Sequence, residues 1–276
     1  MRVVDRVESV RKELDGAASV AVGFVPTMGA LHEGHASLIR RSAAENDLTL
    51  VSVFVNPLQF GPSEDFARYP RDVAADVEVA EAAGADLLFA PAVEEMYPEP
   101  PMVTVTVGAL GDVLEGATRP GHFAGMATVV AKLFAMTGPG RAYFGEKDYQ
   151  QLLIVRRLAA DLSFPVEVVG CPTVREPDGL ARSSRNAYLP AAERRAATVL
   201  YRALEAAAAT SSDDGNELRS VMTKTIAAEP LVRLDYAAVA DPATLAPLLR
   251  ISGAARLLVA AWVGSTRLID NRDVTR

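Results

Sequence analysis

A chain of 276 residues, half of them hydrophobic, is long enough to bury one large core and a smaller second one. Its formal net charge of -7 leaves no uniformly basic surface to gather the phosphates of a nucleic acid, so an anionic ligand needs a local basic site. The amino terminus Met1-Arg2-Val3-Val4-Asp5-Arg6-Val7 is charged where a signal core is apolar, no uncharged apolar run approaches the ~20 residues of a membrane span, and a single cysteine forms no intrachain disulfide, which together predict a cytoplasmic protein with no membrane partner and a buried structural thiol at Cys171.

Along the chain, Ser19 to Val25 reads as a buried parallel strand and Ala36 to Ala44 as the helix that crosses back over the sheet. Between them lies Val25-Pro26-Thr27-Met28-Gly29-Ala30-Leu31-His32-Glu33-Gly34-His35, a strand-to-helix turn. In an open α/β sheet such a turn sits at the carboxyl end of a strand, where ligands bind and the helix N–H groups favour phosphate. Gly34 lacks the side chain that would keep a nucleotide off the backbone, and His32 and His35, three apart, can converge on one group. Zinc ligation by this pair lacks partners, since only His122 and Cys171 remain as soft ligands and no Cys-x-x-Cys exists.

Leu48 to Val55 is the next strand, running into Asn56-Pro57-Leu58-Gln59-Phe60-Gly61. Asn56 and Gln59 fall at the same sheet edge as the histidines, where their amides can read hydroxyl or carboxylate groups; turn chemistry explains Asn56-Pro57 equally well. A helix over Ala74 to Ala83, a strand over Ala85 to Ala90 and a short extra strand over Val103 to Val107 follow. Arg119-Pro120-Gly121-His122-Phe123 precedes a helix over Gly125 to Met136 and could place Arg119 and His122 over an anion, with a chance helix-initiating turn as the plain alternative. A strand over Arg141 to Phe144 leads into Gly145-Glu146-Lys147-Asp148-Tyr149-Gln150-Gln151, where Lys147 offers a mobile point charge and Gln151 lies one helical turn further on. Gly140 to Lys147 only imitates a P-loop: the lysine is one place late and Asp148 stands where Ser or Thr belongs.

The strand Val166 to Gly170 closes this βα alternation, which predicts an α/β fold with a doubly wound parallel sheet over residues 1–173. After Cys171-Pro172-Thr173 come two Ala-rich helices, Ala191 to Ala209 and Glu217 to Ala228, joined by the polar stretch 210–215, and then extended runs over Leu234 to Ala240 and Arg256 to Val263. That order predicts a second, smaller α+β domain over 174–276. Near its start, Ala181-Arg182-Ser183-Ser184-Arg185-Asn186 sets hydroxyls beside arginines, a combination that suits phosphate oxygens, although a solvated charged loop is the default.

Pro26 to His35, Phe54 to Gly61, Tyr69-Pro70-Arg71, Arg119 to Phe123, Gly145 to Gln151 and Ser183 to Asn186, in this order, closely resemble the pantothenate synthetase (pantoate–β-alanine ligase) family of the His-x-Gly-His nucleotidyltransferase superfamily. The resemblance runs from about residue 20 to 190, with a weaker but compatible tail. It implies a Rossmann-like amino domain, a smaller carboxyl lid and a homodimer, with ATP, magnesium, pantoate and β-alanine as small-molecule partners and no nucleic acid. The implied reaction makes pantoyl adenylate and pyrophosphate, after which the β-alanine amine releases pantothenate and AMP.

Implied ATP contacts are Met28, Gly29, Ala30, Leu31, His32, Glu33, Gly34 and His35, then Gly145, Glu146, Lys147 and Asp148, then Val174, Arg182, Ser183, Ser184 and Arg185. By the same resemblance His32, His35 and Lys147 are the expected catalytic residues, with His35 the better candidate for a donor to the phosphates. The resemblance also implies that Met28, Asn56, Gln59, Arg119, His122 and Gln151 line the pantoate and β-alanine site, with Gln59 and Gln151 gripping pantoate. Asp76 stands where the family has an acidic residue for magnesium, but Ala75 removes a second carboxylate, and Arg182 replaces an expected apolar residue. Two rival readings share the nucleotide pocket: an adenylyltransferase for a phosphate-bearing acceptor, which calls for more basic residues in place of Gln59 and Gln151, and a non-catalytic nucleotide sensor.

Overall fold

Near-continuous apolar runs form strands whose alternate residues enter different cores. The computed structural model describes residues 1–16, 20–62 and 64–276; the expected strand start at Ser19 lies outside them. In chain order the first part comprises β1 (Arg2–Val4), α1 (Val7–Asp15), β2 (Val22–Thr27), α2 (Glu33–Glu45), β3 (Leu48–Val53), α3 (Val73–Ala82), β4 (Leu87–Phe89), α4 (Val93–Met96), α5 (Glu115–Thr118), α6 (His122–Thr137), β5 (Gly140–Gly145), α7 (Tyr149–Asp161) and β6 (Val166–Cys171). The six strands are parallel, in the order β1-β4-β3-β2-β5-β6.

Phe24 on β2 is in register with Leu50 on β3 and Leu50 with Leu87 on β4, and all three enter the core shared with α6. Their neighbours Val25, Val51 and Leu88, also in register, face the opposite core with Leu38 and Ile39 of α2. Burial on both faces is what erases the polar alternation of a surface strand and makes the runs read as parallel. From β2 the chain winds outward through β3 to β4, and from β5 it winds the other way to β6. The winding therefore reverses between β2 and β5, and the crevice beyond their carboxyl ends is where such sheets take ligands.

The chain divides into two compact units, residues 1–146 with 150–172, and residues 147–149 with 173–276. The second contains α8 (Ala191–Ala196), α9 (Val199–Ala209), α10 (Gly215–Ala227), β7 (Val232–Ala240), β8 (Ala254–Val263) and β9 (Thr266–Thr275). Its three strands are antiparallel, in the order β7-β8-β9, and Leu200, Leu204, Leu218 and Met222 of the helices pack with Leu257, Val259 and Ala261 of β8.

Two expectations need correction, and one strand was not foreseen. Val103 to Val107 is not a strand: the Val105 N–H is donated to the Thr128 hydroxyl at 2.9 Å, so its backbone bonds a side chain of α6 in place of a neighbouring strand. The single helix expected over Ala191 to Ala209 breaks at Ala197 and Thr198, where Leu200 N bonds Ala197 O at 3.2 Å and the Thr198 hydroxyl donates to the Arg195 carbonyl at 2.8 Å. Strand β9 went unread because buried polar Asp270 and Asn271 interrupt its alternation. Cys171 is buried at the end of β6, as a structural thiol should be.

One close approach ties α6 to the chain after β3. A Cβ on Gly125 would overlap the Leu58 carbonyl and crowd Gln59 N. Gly125→Ala is therefore expected to cost about 1–3 kcal/mol of stability, read as a lowered urea midpoint; an unchanged midpoint would show that the two segments can part without loss.

Candidate active site

The first unit's site grows from the end of β2. The Thr27 hydroxyl donates to Ser52 O at 2.8 Å and accepts from Gly29 N at 3.1 Å, curling the chain as it leaves the sheet. Gly29 and Ala30 then adopt φ of 82° and 52°. For Ala30 this left-handed conformation costs about 1–2 kcal/mol. Across the turn stands Asp76, on the first turn of α3 and 2 % exposed, whose carboxylate accepts from Ala30 N at 3.2 Å and Leu31 N at 2.6 Å. A Cβ at Gly29 would lie 2.8 Å from Asp76 Oδ2 and 2.9 Å from Val53, so glycine is required there both by φ and by space. Burial pushes the Asp76 carboxyl above its ordinary range, and the two amide bonds oppose that rise.

This turn delivers the chain to α2 with His32 as N-cap. His32 Nδ1 accepts from Gly34 N at 3.0 Å and His35 Nδ1 accepts from His32 N at 3.3 Å, a reciprocal capping box built from two imidazoles. The ring centroids are 4.1 Å apart. A neutral imidazole that accepts at Nδ1 carries its proton at Nε2, so these bonds fix the same tautomer in both rings and make each Nε2 a donor. Capping thus also selects the edge that each ring presents.

After β3, Asn56 and Gln59 are both buried, and Asn56 is fully committed. Its Nδ2 donates to Gln59 Oε1 and Gly125 O, both at 3.1 Å, while its Oδ1 accepts from Leu58 N at 3.3 Å and Tyr97 OH at 3.0 Å. Two donors and two acceptors exhaust one amide. Asn56 is therefore a brace for Gln59, not a group free to read a substrate. Gln59 Nε2 also reaches Met28 Sδ at 2.9 Å, which brings two of the sequence-predicted substrate residues together.

Arg119 and His122 do not converge on an anion either. Arg119 forms a two-pronged pair with Glu64 at 2.8 and 2.6 Å, and its Nη1 lies 3.0 Å from His122 Nε2. His122 Nδ1 lies 2.8 Å from Gln59 O. Because a guanidinium only donates, His122 Nε2 is the acceptor and Nδ1–H the donor to Gln59. Burial and then the Arg119 charge lower the His122 pKa to about 4, keeping the ring neutral. Burial works against the Glu64 anion, but Arg119 outweighs it and holds the carboxyl below its ordinary range. Glu64 and Tyr97 escaped the sequence reading, since only the fold brings them to Arg119 and Asn56.

At α7, Gln150 is buried and saturated by Glu115 N, Leu110 O and Val113 O at 3.1, 2.7 and 2.8 Å. Gln151 is half-buried, and its amide bonds no other described residue. Among the described residues no group of three His, Cys, Asp or Glu side chains is placed to hold a metal ion. Asp76 spends one lone pair of each oxygen on the amides of Ala30 and Leu31.

In the second unit, Lys147 Nζ lies 3.4 Å from Asp148 Oδ1. Ser183 caps the turn Ser184–Tyr188, its Oγ accepting from Arg185 N at 3.3 Å. Val174 O accepts from Arg182 N at 3.0 Å, and the Arg182 guanidinium pairs with Glu176 at 3.0 Å, which accommodates a charge where an apolar residue was expected. Arg175 clamps this loop to β9 through a two-pronged pair with buried Asp270 at 2.7 and 2.9 Å.

A sequence model of the Pantoate-beta-alanine ligase family matches residues 2–273. The pantothenate synthetase of Roseiflexus sp. (strain RS-1) is 54 % identical over 274 residues, covering 98 % of each chain. The crystal structure of pantothenate synthetase from Thermus thermophilus superposes with a TM-score of 0.92 at 53 % identity, covering 99 % of both chains. That of pantoate-beta-alanine ligase from Francisella tularensis, complexed with beta-gamma ATP and beta-alanine, gives 0.83 at 34 % identity, covering 99 % of this chain and 97 % of that one.

The buried neutral His122 sets a pH dependence. Its pKa is about 4 when folded against an ordinary 6.5, so the unfolded chain binds the extra proton between those values and stability falls as pH drops through that window. At about 1.4 kcal/mol per pH unit the loss is about 3 kcal/mol. Urea unfolding at pH 7 and pH 4.5 is expected to show a fall that His122→Gln flattens; an equal fall in the variant would assign it to other groups.

Proposed function

The chain belongs to the pantoate–β-alanine ligase family, and from that premise we propose that the turn after β2 is where it activates pantoate with ATP. The enzyme joins pantoate to β-alanine to give pantothenate. A pantoate carboxylate oxygen attacks the α-phosphorus of ATP and pyrophosphate leaves; the β-alanine amine then attacks the acyl carbon of pantoyl adenylate and AMP leaves. The observation that carries the assignment of the site is the imidazole capping box, which engages Nδ1 of both rings and leaves the proton of each on Nε2 at the N-terminus of α2.

In this reading His32 and His35 hold phosphate oxygens, with His35 donating to charge that builds on the α-phosphate. Positioning and preorganised donors suffice for such a transfer, and no protein nucleophile is needed. Lys147, Ser183 and Arg185 contact phosphates, while Gly145, Asp148 and the backbone at Val174 hold the ribose and adenine. Gln59 and Gln151 orient pantoate beside Met28. Neutral amides suit that task, because an arginine clamp would stabilise the carboxylate and oppose its attack. Asn56, His122, Arg119 and Glu64 brace Gln59 at the pantoate and β-alanine site.

Magnesium belongs to this reading as an ion that arrives on ATP, held by phosphate oxygens and water, which is how it commonly enters nucleotide sites. A homodimer in the cytoplasm completes it; the single buried thiol suits a reducing compartment.

Pyrophosphate release that depends on pantoate tests the activity, and two variants test the residues. His35→Ala is expected to lose adenylation by an amount on the order of 3 kcal/mol in transition-state stabilisation while staying folded, with a stability loss of about 0.5–2 kcal/mol from the missing cap bond; full activity would remove His35 from the chemistry. Gln151→Ala should weaken pantoate by about 1–3 kcal/mol and leave ATP affinity unchanged, measured by titrating each ligand, pantoate in the presence of a non-hydrolysable ATP analogue. An equal loss for both ligands would place Gln151 elsewhere.

A further inference from the structure

Residues 147–149 follow β5 and run into the first residue of α7, yet they group with the second unit. The reason is a set of buried polar side chains on its three-stranded sheet. Asn271 of β9, 4 % exposed, donates from Nδ2 to the Lys147 carbonyl at 2.7 Å and accepts at Oδ1 from Arg256 Nε at 2.7 Å. The Arg256 guanidinium from β8 lies over the Tyr149 ring, 4.0 Å from its centroid, and the Tyr149 hydroxyl donates to Pro242 O at 2.9 Å. Next to Asn271, the Asp270 carboxylate accepts from Asn271 N at 2.7 Å while pairing with Arg175. Strand β9 also packs against the turn Ser184–Tyr188. The 147–149 segment and the Arg185 turn therefore rest on one strand.

A small antiparallel sheet gains more from apolar side chains than from a buried arginine, aspartate and asparagine, whose desolvation must be offset by hydrogen bonds. Here the Asn271 amide ends on the segment that carries Lys147, and the Asp270 carboxylate ends on Arg175, in the stretch that leads to Arg182 and Arg185. We infer that Asn271, braced by Arg256, is a positioning residue for Lys147: its hold on the Lys147 carbonyl sets where the ammonium stands relative to the Arg185 turn. This rests on the reading that Lys147 contacts ATP phosphates. Asn271 itself touches no substrate.

The test compares Asn271→Asp, which keeps the shape and the acceptor for Arg256 but loses the donor to Lys147 O, with Lys147→Ala and the double variant. Asn271→Ser serves where the aspartate variant does not fold. Single-turnover pyrophosphate formation is expected to slow at least tenfold in the Asn271 variant, with amine attack on preformed pantoyl adenylate changed less than twofold. In the Lys147→Ala background the Asn271 change should slow neither step further. A folded Asn271 variant with parental pyrophosphate formation, or one that slows both backgrounds by the same factor, overturns the inference. If Lys147→Ala alone adenylates at the parental rate, the role given to Lys147 fails first, and the positioning role goes with it.

Discussion

Everything at the first unit's ligand edge depends on the Asp76 carboxylate holding two consecutive amides of the turn after β2. Two left-handed residues in succession are unfavourable for a chain left to itself, and Ala30 has a Cβ to make them more so. A buried carboxylate that accepts two N–H groups offsets that cost and is itself rendered tolerable by them. The geometry leaves no room for adjustment, since a side chain at Gly29 would strike the same carboxylate. Release of this clamp would free the direction in which α2 starts, and with it the edges of His32 and His35.

The same kind of internal commitment recurs around Gln59. The most polar residues near it, Asn56, Arg119, His122 and Glu64, bond chiefly to one another and to backbone, so Gln59 is held from both its side chain and its carbonyl. Fixed dipoles of this kind need no reorganisation when charge shifts during reaction. A neutral His122 fits the design, because a second cation beside Arg119 would have to be buried without a partner of its own.

What could be read from the residues alone was whatever local order dictates. The paired histidines sit at a strand-to-helix turn within a short stretch of sequence, and the parallel sheet follows from Phe24, Val25, Leu50 and Val51 all being apolar with neither face spared. Partnerships across the fold were not legible. Asp76 meets Leu31 over a separation of 45 residues, Arg119 meets Glu64 over 55, and Asn271 meets Lys147 over 124. Hence Asp76 was legible as a candidate metal ligand and Arg119 as a candidate anion contact, but their internal partners Leu31 and Glu64 were not. Val103 to Val107 alternates as a strand would, but alternation cannot supply the neighbouring edge that a strand needs.

The measurement that bears most directly on pantoate activation is the fate of oxygen. With the pantoate carboxylate labelled with oxygen-18, turnover with ATP and β-alanine is expected to place one labelled oxygen in AMP and none in pyrophosphate, because that carboxylate attacks the α-phosphorus and its oxygen stays with AMP when the amide forms. Label in pyrophosphate or free phosphate, or AMP without label, would contradict attack at the α-phosphorus and with it the roles given to His32 and His35.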